Sequence, residues 1–466
     1  MYRKSSKQIS LYDFGQKAGL QLNPNNRWVK MSELIDWEAL ENEYMNLYCL
    51  DNGAPAKPIQ LAIGALLIKQ IEGLPDEKLV EHLTENPYMQ YFCGIKEFSY
   101  EAPFVASLMV EFRKRFSDDV IREINERIFK PTPPLKNDDD NNDDTPPPAN
   151  SGTLILDTTC APANIQYPQD LGLCNEAREK TEEMIEAMHK GNRGNTPKPR
   201  MDKKKARKDY LKTAKKKKRK ASEIRKAIRR QLSYLRRNLR SIDKQLEIGR
   251  GGMLSGKQNK ELIVIRKLYE QQLEMLQERK HSVNDRIVSI SQPHVRPIVR
   301  GKAHAQTEFG AVVAIHVIDG YAFVDNISWD AYNEAGDLAD VVERYKEQYG
   351  YYPEAVIVDK KYRTRDNINF CSARGIRISG PRLGRPRLGI PSDKQQEYKD
   401  ICTRNTVEGK FGIGKKAYGL GRIMANLKLT ANTVINMAFL AMNLVKRLLC
   451  VLVFSPFDGV IFVTAF

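Results

Sequence analysis

The chain lacks the residue arrangements that carry thiol, imidazole and serine chemistry. Seven cysteines are scattered over 466 residues, at Cys49, Cys93, Cys160, Cys174, Cys371, Cys402 and Cys450, and none stands in C-x-x-C spacing. An odd count without paired spacing argues against a zinc site and a disulfide framework, and fits a reducing compartment. Six histidines form no H-x-x-x-H pair, and of these only His304 lies in a segment of interest, RGKAHAQTEFG. There is no G-x-S-x-G. The opening residues, MYRKSSKQISLYDFG, contain no apolar signal core. The longest apolar run, 448–454, soon meets Pro456, Asp458 and Gly459. A run of this length is too short for a bilayer and reads as the end of a buried helix, followed by a tail of no assigned role over 448–466. The expectation is a cytoplasmic protein with no membrane partner.

Positive charge is abundant. Lys and Arg number 75 against 58 Asp and Glu, a formal net charge of +17 and a pI near 9.3. Each phosphate neutralised by such a surface releases a counterion, so a polyanion is the expected partner. The excess is concentrated: residues 201–250 hold 21 Lys or Arg and 5 Asp or Glu. Its densest part is Lys215, Lys216, Lys217, Lys218, Arg219 and Lys220. These six are candidate DNA contacts, directed at phosphates and carrying little base information. The alternative is a solvated hairpin with a basic outer face.

Composition shifts divide the chain. Residues 1–130 show helical apolar spacing, with a run opened by Pro58, a start at Pro75-Asp76-Glu77 and a third helix over about 103–129. They form either a DNA-binding module of the helix-turn-helix kind or a plain helical bundle. Residues 131–150, Pro-flanked and acidic, read as a solvated linker. Residues 151–174 and 291–447 alternate β-rich and helical segments, and Asp319-Gly320 marks a hairpin. Between them, 175–290 reads as a basic helical hairpin. Ile224, Ile228, Leu232, Leu235, Leu239, Ile242 and Leu246 line one helix; Leu262, Ile265, Tyr269, Leu273, Leu276, Val283 and Ile287 line the next. Without that insertion the order is strand, hairpin, helix, strand, helix, strand, helix. This predicts an α/β fold: an RNase-H-like mixed five-stranded sheet with helices, interrupted by a long helical hairpin, plus an all-α N-terminal domain.

Two acids sit where strands meet loops: Asp157 in TLILDTT and Asp359 after the apolar run 355–358. Carboxylates facing each other at a sheet edge suit a pair of Mg²⁺ ions, hard cations that take oxygen ligands. Glu408, flanked by Arg404, Lys410, Lys415 and Lys416, is the candidate third acid. Taken singly, an Asp after a strand is common in turns, and a Glu among cations is a common surface helix pair. Residues 380–389, GPRLGRPRLG, add Arg382, Arg385 and Arg387, guanidinium groups suited to clamping phosphate; an ordinary surface loop is the alternative.

These segments carry a resemblance. LDTTCAPANIQYPQDLGLCNEAREK with Asp157, VDKKYRTRDN with Asp359, Tyr362 and Asn367, and RNTVEGKFGIGK with Arg404, Glu408 and Lys415 resemble the DDE transposases of bacterial insertion sequences. The broad group is the one related to the families numbered four and five, and the likeness runs to about residue 447. Two positions depart from it: Ile401 stands where relatives often have Tyr, and Lys361 where Gly is common. The resemblance implies that Asp157, Asp359 and Glu408 are catalytic and hold Mg²⁺, with Mn²⁺ as a substitute. It implies that Arg404 and Lys415 hold phosphates, and that a homodimer forms on DNA. The reaction implied is hydrolysis at a transposon end followed by attack of the freed 3′-hydroxyl on target DNA. Two rivals remain at this point: a structure-selective nuclease that cuts without joining, and a basic DNA-binding protein with a decayed catalytic domain.

Overall fold

The computed structural model describes residues 11, 14–15, 21–45, 56–129, 150–190, 197–249, 253–299, 307–380 and 394–453, with side chains to 451. Residues 131–149 of the expected linker 131–150, the arginines Arg382, Arg385 and Arg387, His304, and the tail beyond 453 lie outside these residues. The chain divides into two compact units. The first comprises Met1–Pro162, Val312–Ser328 and Tyr332–Phe466; the second comprises Ala163–Ala311 and Trp329–Ala331.

The first unit opens with seven helices: α1 (Arg27–Glu33), α2 (Trp37–Met45), α3 (Ile59–Glu72), α4 (Asp76–Glu85), α5 (Pro87–Phe92), α6 (Leu108–Arg115) and α7 (Asp118–Phe129). The single helix expected over 103–129 is broken. Phe116 turns to extended backbone, buries its ring in a stack on Tyr44 at 5.3 Å, and the acids Asp118 and Asp119 start α7 afresh. Strand β1 (Thr153–Pro162) follows, and the chain then enters the second unit.

The second unit contains α8 (Asp170–Lys190), α9 (Lys203–Ala214), α10 (Ala221–Glu247) and α11 (Gly256–Glu278). Where a pair of helices was expected, the described residues form a group of four. Ile228, Leu232, Leu235, Leu239 and Ile242 of α10 meet Leu171, Ile185 and Met188 of α8 and Leu262, Ile265 and Leu268 of α11. At its centre Arg178 is almost fully buried, its guanidinium bonded to Glu182 (2.6 Å), Asn175 (2.8 Å) and Gln231 (3.1 Å). Helix α11 stops at Glu278 because Arg279 is left-handed (φ 56°), so Val283 and Ile287 lie past its end. The unit closes with β2 (Arg296–Val299), antiparallel to the start of β3 (Thr307–Ile318).

Strand β3 continues into the first unit, where it pairs antiparallel with β4 (Tyr321–Ser328). Asp319 (φ 51°) and Gly320 (φ 75°) form the connecting turn; left-handed backbone at both positions matches the twist of the strands. Then come α12 (Asp337–Tyr349), β5 (Ala355–Ile357), α13 (Arg365–Ala373), β6 (Arg377–Ile378), α14 (Lys394–Ala417) and α15 (Lys428–Val453). The sheet order is β3-β1-β5-β6, with β4 on the outer side of β3 and β1, β5 and β6 mutually parallel. This is the expected RNase-H-like mixed α/β arrangement with an all-helical N-terminal region. β2 is a sixth strand that the sequence did not announce.

Helix α15 is the buried helix whose end was expected at 448–454, and it takes in residues 448–453 of the expected tail. Lys428–Val451 is long and apolar enough to cross a membrane, yet it packs against α3, α6, α7 and β4 inside the first unit. Two of its polar residues are matched there: Asn443 donates to the Ala322 carbonyl (2.7 Å) and accepts its N–H (2.9 Å), and Thr433 donates to Arg113 and Phe116 carbonyls (2.7 and 3.0 Å). Helices α1–α7 and α15 share one apolar core with β1 and β5, running from Trp28 through Leu154 and Val356 to Leu448.

Candidate active site

The two aspartates are brought level by strand register. Parallel strands β1 and β5 pair Thr153 with Ala355, Leu154 with Val356 and Ile155 with Ile357. Asp157 and Asp359 each stand two residues further along, on the same side of the pleat. Asp157 Oδ1 accepts the Thr158 N–H at 2.8 Å. Burial raises its carboxyl above the usual range; Arg404 offsets this, while Asp359 and Glu408 add to it.

The segment after Asp359 folds from its own side chains. Asp359 Oδ1 accepts the Lys360 N–H (2.7 Å) and caps a single 3₁₀ turn, Lys360–Tyr362. Tyr362 is buried, and burial pushes its hydroxyl far up, with Glu334, Tyr332 and Asp157 as charged or ionisable neighbours. Arg363 Nη1 reaches the carbonyls of Ile378 (3.1 Å) and Ser379 (2.5 Å) past β6. Thr364 caps α13, and the buried Asn367 amide clamps the Tyr362 and Ala335 carbonyls, each at 2.8 Å. Lys361 lies in the right-handed turn, where a side chain fits without strain.

Glu408 and Arg404 sit one turn apart on α14. Arg404 Nη2 is 3.3 Å from Glu408 Oε1, and its Nη1 is 3.4 Å from Asp359 Oδ1. One guanidinium therefore stands among three carboxylates drawn from β1, the end of β5 and α14. The helix is set by its other face: Asp400, Val407, Phe411 and Gly414 are buried. Asp400 receives a two-pronged pair from Arg377 of β6 (2.6 and 3.0 Å) and a bond from Gln396 (2.9 Å). Gly414 admits Leu420 and Met442, which would lie 2.7 and 3.1 Å from a Cβ there.

Two segments match known families. Residues 17–115 match the Transposase domain (DUF772), and residues 356–445 match the Transposase DDE domain. Both matches are to transposase domains, and together they support a DDE transposase of the bacterial insertion-sequence kind. Asp359, Arg404, Glu408 and Lys415 fall inside the second match; Asp157 falls outside it. An uncharacterized protein, ORF8 in the nfe locus of Rhizobium meliloti, is 33% identical over 111 residues, 24% of this chain and 53% of that protein. The chain thus spans about half the length of that relative. No solved structure matches.

The remaining candidates distribute as follows. Lys415, seven residues after Glu408 on α14, is half-buried, about 10 Å further along the helix. Lys215, Lys216, Lys217, Lys218, Arg219 and Lys220 connect α9 to α10 in the second unit. Two of these are engaged: Lys216 pairs with Glu223 (2.9 Å), and Arg219 bonds the Ala214 carbonyl (2.8 Å) and Gln169 (3.2 Å). Lys215, Lys217, Lys218 and Lys220 are exposed. The Arg377–Asp400 pair was not foreseen: its partners belong to different elements, and no local period links them.

Proposed function

We propose that the chain is a metal-dependent transposase that binds transposon-end duplex DNA, hydrolyses a phosphodiester there and joins the freed 3′-hydroxyl to target DNA. The observation that supports this best is the register that carries Asp157 on β1 and Asp359 just past β5 two residues beyond a paired position, with Glu408 linked to Asp359 through Arg404. The donor set consists of carboxylate oxygens, the kind that Mg²⁺ and Mn²⁺ take. Among the described residues no three acidic, His or Cys side chains form a ready metal cage; Arg404 already supplies the local positive charge. The donors fit such a cation in kind, and Asp157, Asp359 and Glu408 would hold it. Bound there, it would supply positive charge to the attacking and leaving oxygens of a displacement.

The protein's own groups bind and orient. Arg404 is placed to exchange its carboxylates for a phosphate near the scissile bond, since a guanidinium serves either anion through the same fork. Lys415 adds a second cation on the same helix. Lys215, Lys217, Lys218 and Lys220 contribute phosphate contacts of their own. The protein acts in the cytoplasm, and a dimer on paired ends is expected.

The test is an end-labelled duplex carrying the DNA that flanks the coding sequence, incubated with supercoiled target. Nicking and strand transfer that both require Mg²⁺ or Mn²⁺ are expected. Cleavage without joining would assign a nuclease instead, and binding without cleavage a protein whose catalytic centre is inactive.

A further inference from the structure

Helix α10 carries a row of cations that neither the fold nor the acidic site uses. Arg225, Lys226, Arg229, Arg236, Arg240 and Lys244 are all exposed. At 100° per residue they fall on one face, opposite the buried Ile228, Leu235 and Ile242. None of the six makes an ion pair or a side-chain hydrogen bond among the described residues. Other cations of the same helix are neutralised: Arg237 by Asp202 (2.7 Å) and Arg230 by Asp209 (3.5 Å). The only acid between Arg225 and Lys244, Asp243, is taken by Arg266 of α11.

Arg225 and Arg229, Arg236 and Arg240, and Arg240 and Lys244 are like charges one turn apart, where they repel rather than support the helix. Among the described residues of the unit nothing relieves that repulsion, so the row is matched to an anion outside it. It extends over about 28 Å at ~1.5 Å per residue. Duplex DNA presents one phosphate charge per ~1.7 Å of axis, so a stretch of about eight base pairs lies against it. Four of the six are Arg, whose fork suits phosphate oxygens.

We propose that this face of α10 is a docking surface for the backbone of duplex DNA. Lys215, Lys217, Lys218 and Lys220 then lie at its N-terminal approach. The inference rests on the transposase reading above, which names DNA as the partner, and adds where in the second unit the duplex lies.

The experiment uses the full chain and a random-sequence 30-base-pair duplex, with affinity measured across a series of salt concentrations. Arg225→Gln, Arg229→Gln, Arg236→Gln and Arg240→Gln are combined in one variant. Each lost phosphate contact removes about 0.9 from the slope of log K against log salt. The expected result is a slope reduced by two or more and affinity lowered at least tenfold, equally for all sequences, with thermal stability kept or raised. The same four positions changed to Lys should hold the slope within one, and Arg230→Gln with Arg237→Gln should lower it by less than one. A wild-type slope in the four-Gln variant, with the parent binding duplex normally, overturns the α10 surface and leaves the transposase reading standing. No duplex binding by the parent defeats that reading itself. Stripe-dependent affinity for structured RNA or phosphatidylserine vesicles, with none for duplex DNA, overturns the assigned occupant.

Discussion

Asp157 on β1 and Asp359 just past the end of the neighbouring parallel strand β5 each follow by two residues one member of the paired isoleucines Ile155 and Ile357. Side chains alternate between faces along a strand, so a slip of one residue would turn one aspartate away from the other. The apolar residues Leu154, Leu156 and Val356 resist that slip, because their burial in the shared core fixes which face points inward. The juxtaposition of the acids is thus a by-product of core packing.

From this follows the behaviour of the acids. Asp157→Asn, Asp359→Asn and Glu408→Gln should each reduce both DNA nicking and strand transfer by about 10²–10³-fold or more, the scale of removing one group that stabilises transition-state charge. Duplex affinity should change less than threefold, since most of the proposed phosphate contacts lie away from these acids. Loss of joining alone, with normal nicking in a labelled-end assay, would contradict a shared site.

Much of this arrangement was legible beforehand, for identifiable reasons. A compact β run containing Asp157 and an apolar run ending at Asp359 announce strand positions through local pattern. The Arg404, Glu408 and Lys415 spacing places three charges along one helix face, which holds whatever the helix packs against. The buried face of α10 was legible through its period. The break at Phe116 was not, because stacking on Tyr44 overrides a helical pattern that continues through the sequence. Helix α8 carries buried polar residues, Asn175, Arg178, Thr181 and Glu182, which blur its apolar stripe. The basic stripe of α10 was hidden in a charge count that did not sort exposed from ion-paired residues.

The Arg377–Asp400 pair orients α14, and with it Arg404 and Glu408. Asp400 is buried while Arg377 is partly exposed. Arg377→Ala leaves that carboxylate with Gln396 alone. A loss of about 1.5–3 kcal/mol is expected, the value of a hydrogen bond to a charged group. Nicking should fall further than the unfolded fraction accounts for, while Arg377→Lys restores part of the stability and less of the activity. Nicking that simply tracks the folded fraction in a denaturant series would remove the positioning role.

Asn443 distinguishes a buried core helix from a membrane span. Its amide satisfies both backbone groups of Ala322 and donates to Asn125 (3.0 Å). Asn443→Leu makes α15 more apolar, which would favour a bilayer. In this fold it leaves the Ala322 N–H and the Asn125 amide oxygen without the Asn443 amide, while the Ala322 carbonyl keeps its bond from Asn125 (3.2 Å), at a cost of about 1–3 kcal/mol. A lower melting temperature and an unchanged soluble fraction are expected; a stabilised, membrane-sedimenting variant would reverse the assignment of α15 to the core.

Glu176 on α8 gives a pH-dependent prediction in the second unit. Burial raises its carboxyl above the usual value; Lys180 offsets this, and Glu261 and Glu179 add to it. The folded state therefore holds the proton more tightly than the unfolded chain, whose glutamates titrate near ~4.3. Stability from that preference is present below the unfolded pKa and is lost as pH rises through the folded one. At pH 7 the ionised, partly buried carboxylate is a liability, and Glu176→Gln should stabilise the second unit. Below about pH 4 both states of the wild type are protonated, and the advantage of the amide should vanish. Guanidinium midpoints of the two proteins, measured from pH 4 to pH 8, should diverge as pH rises, with the variant higher. A constant difference across that range would mean that the variant acts through packing, and that Glu176 carries no proton-linked strain.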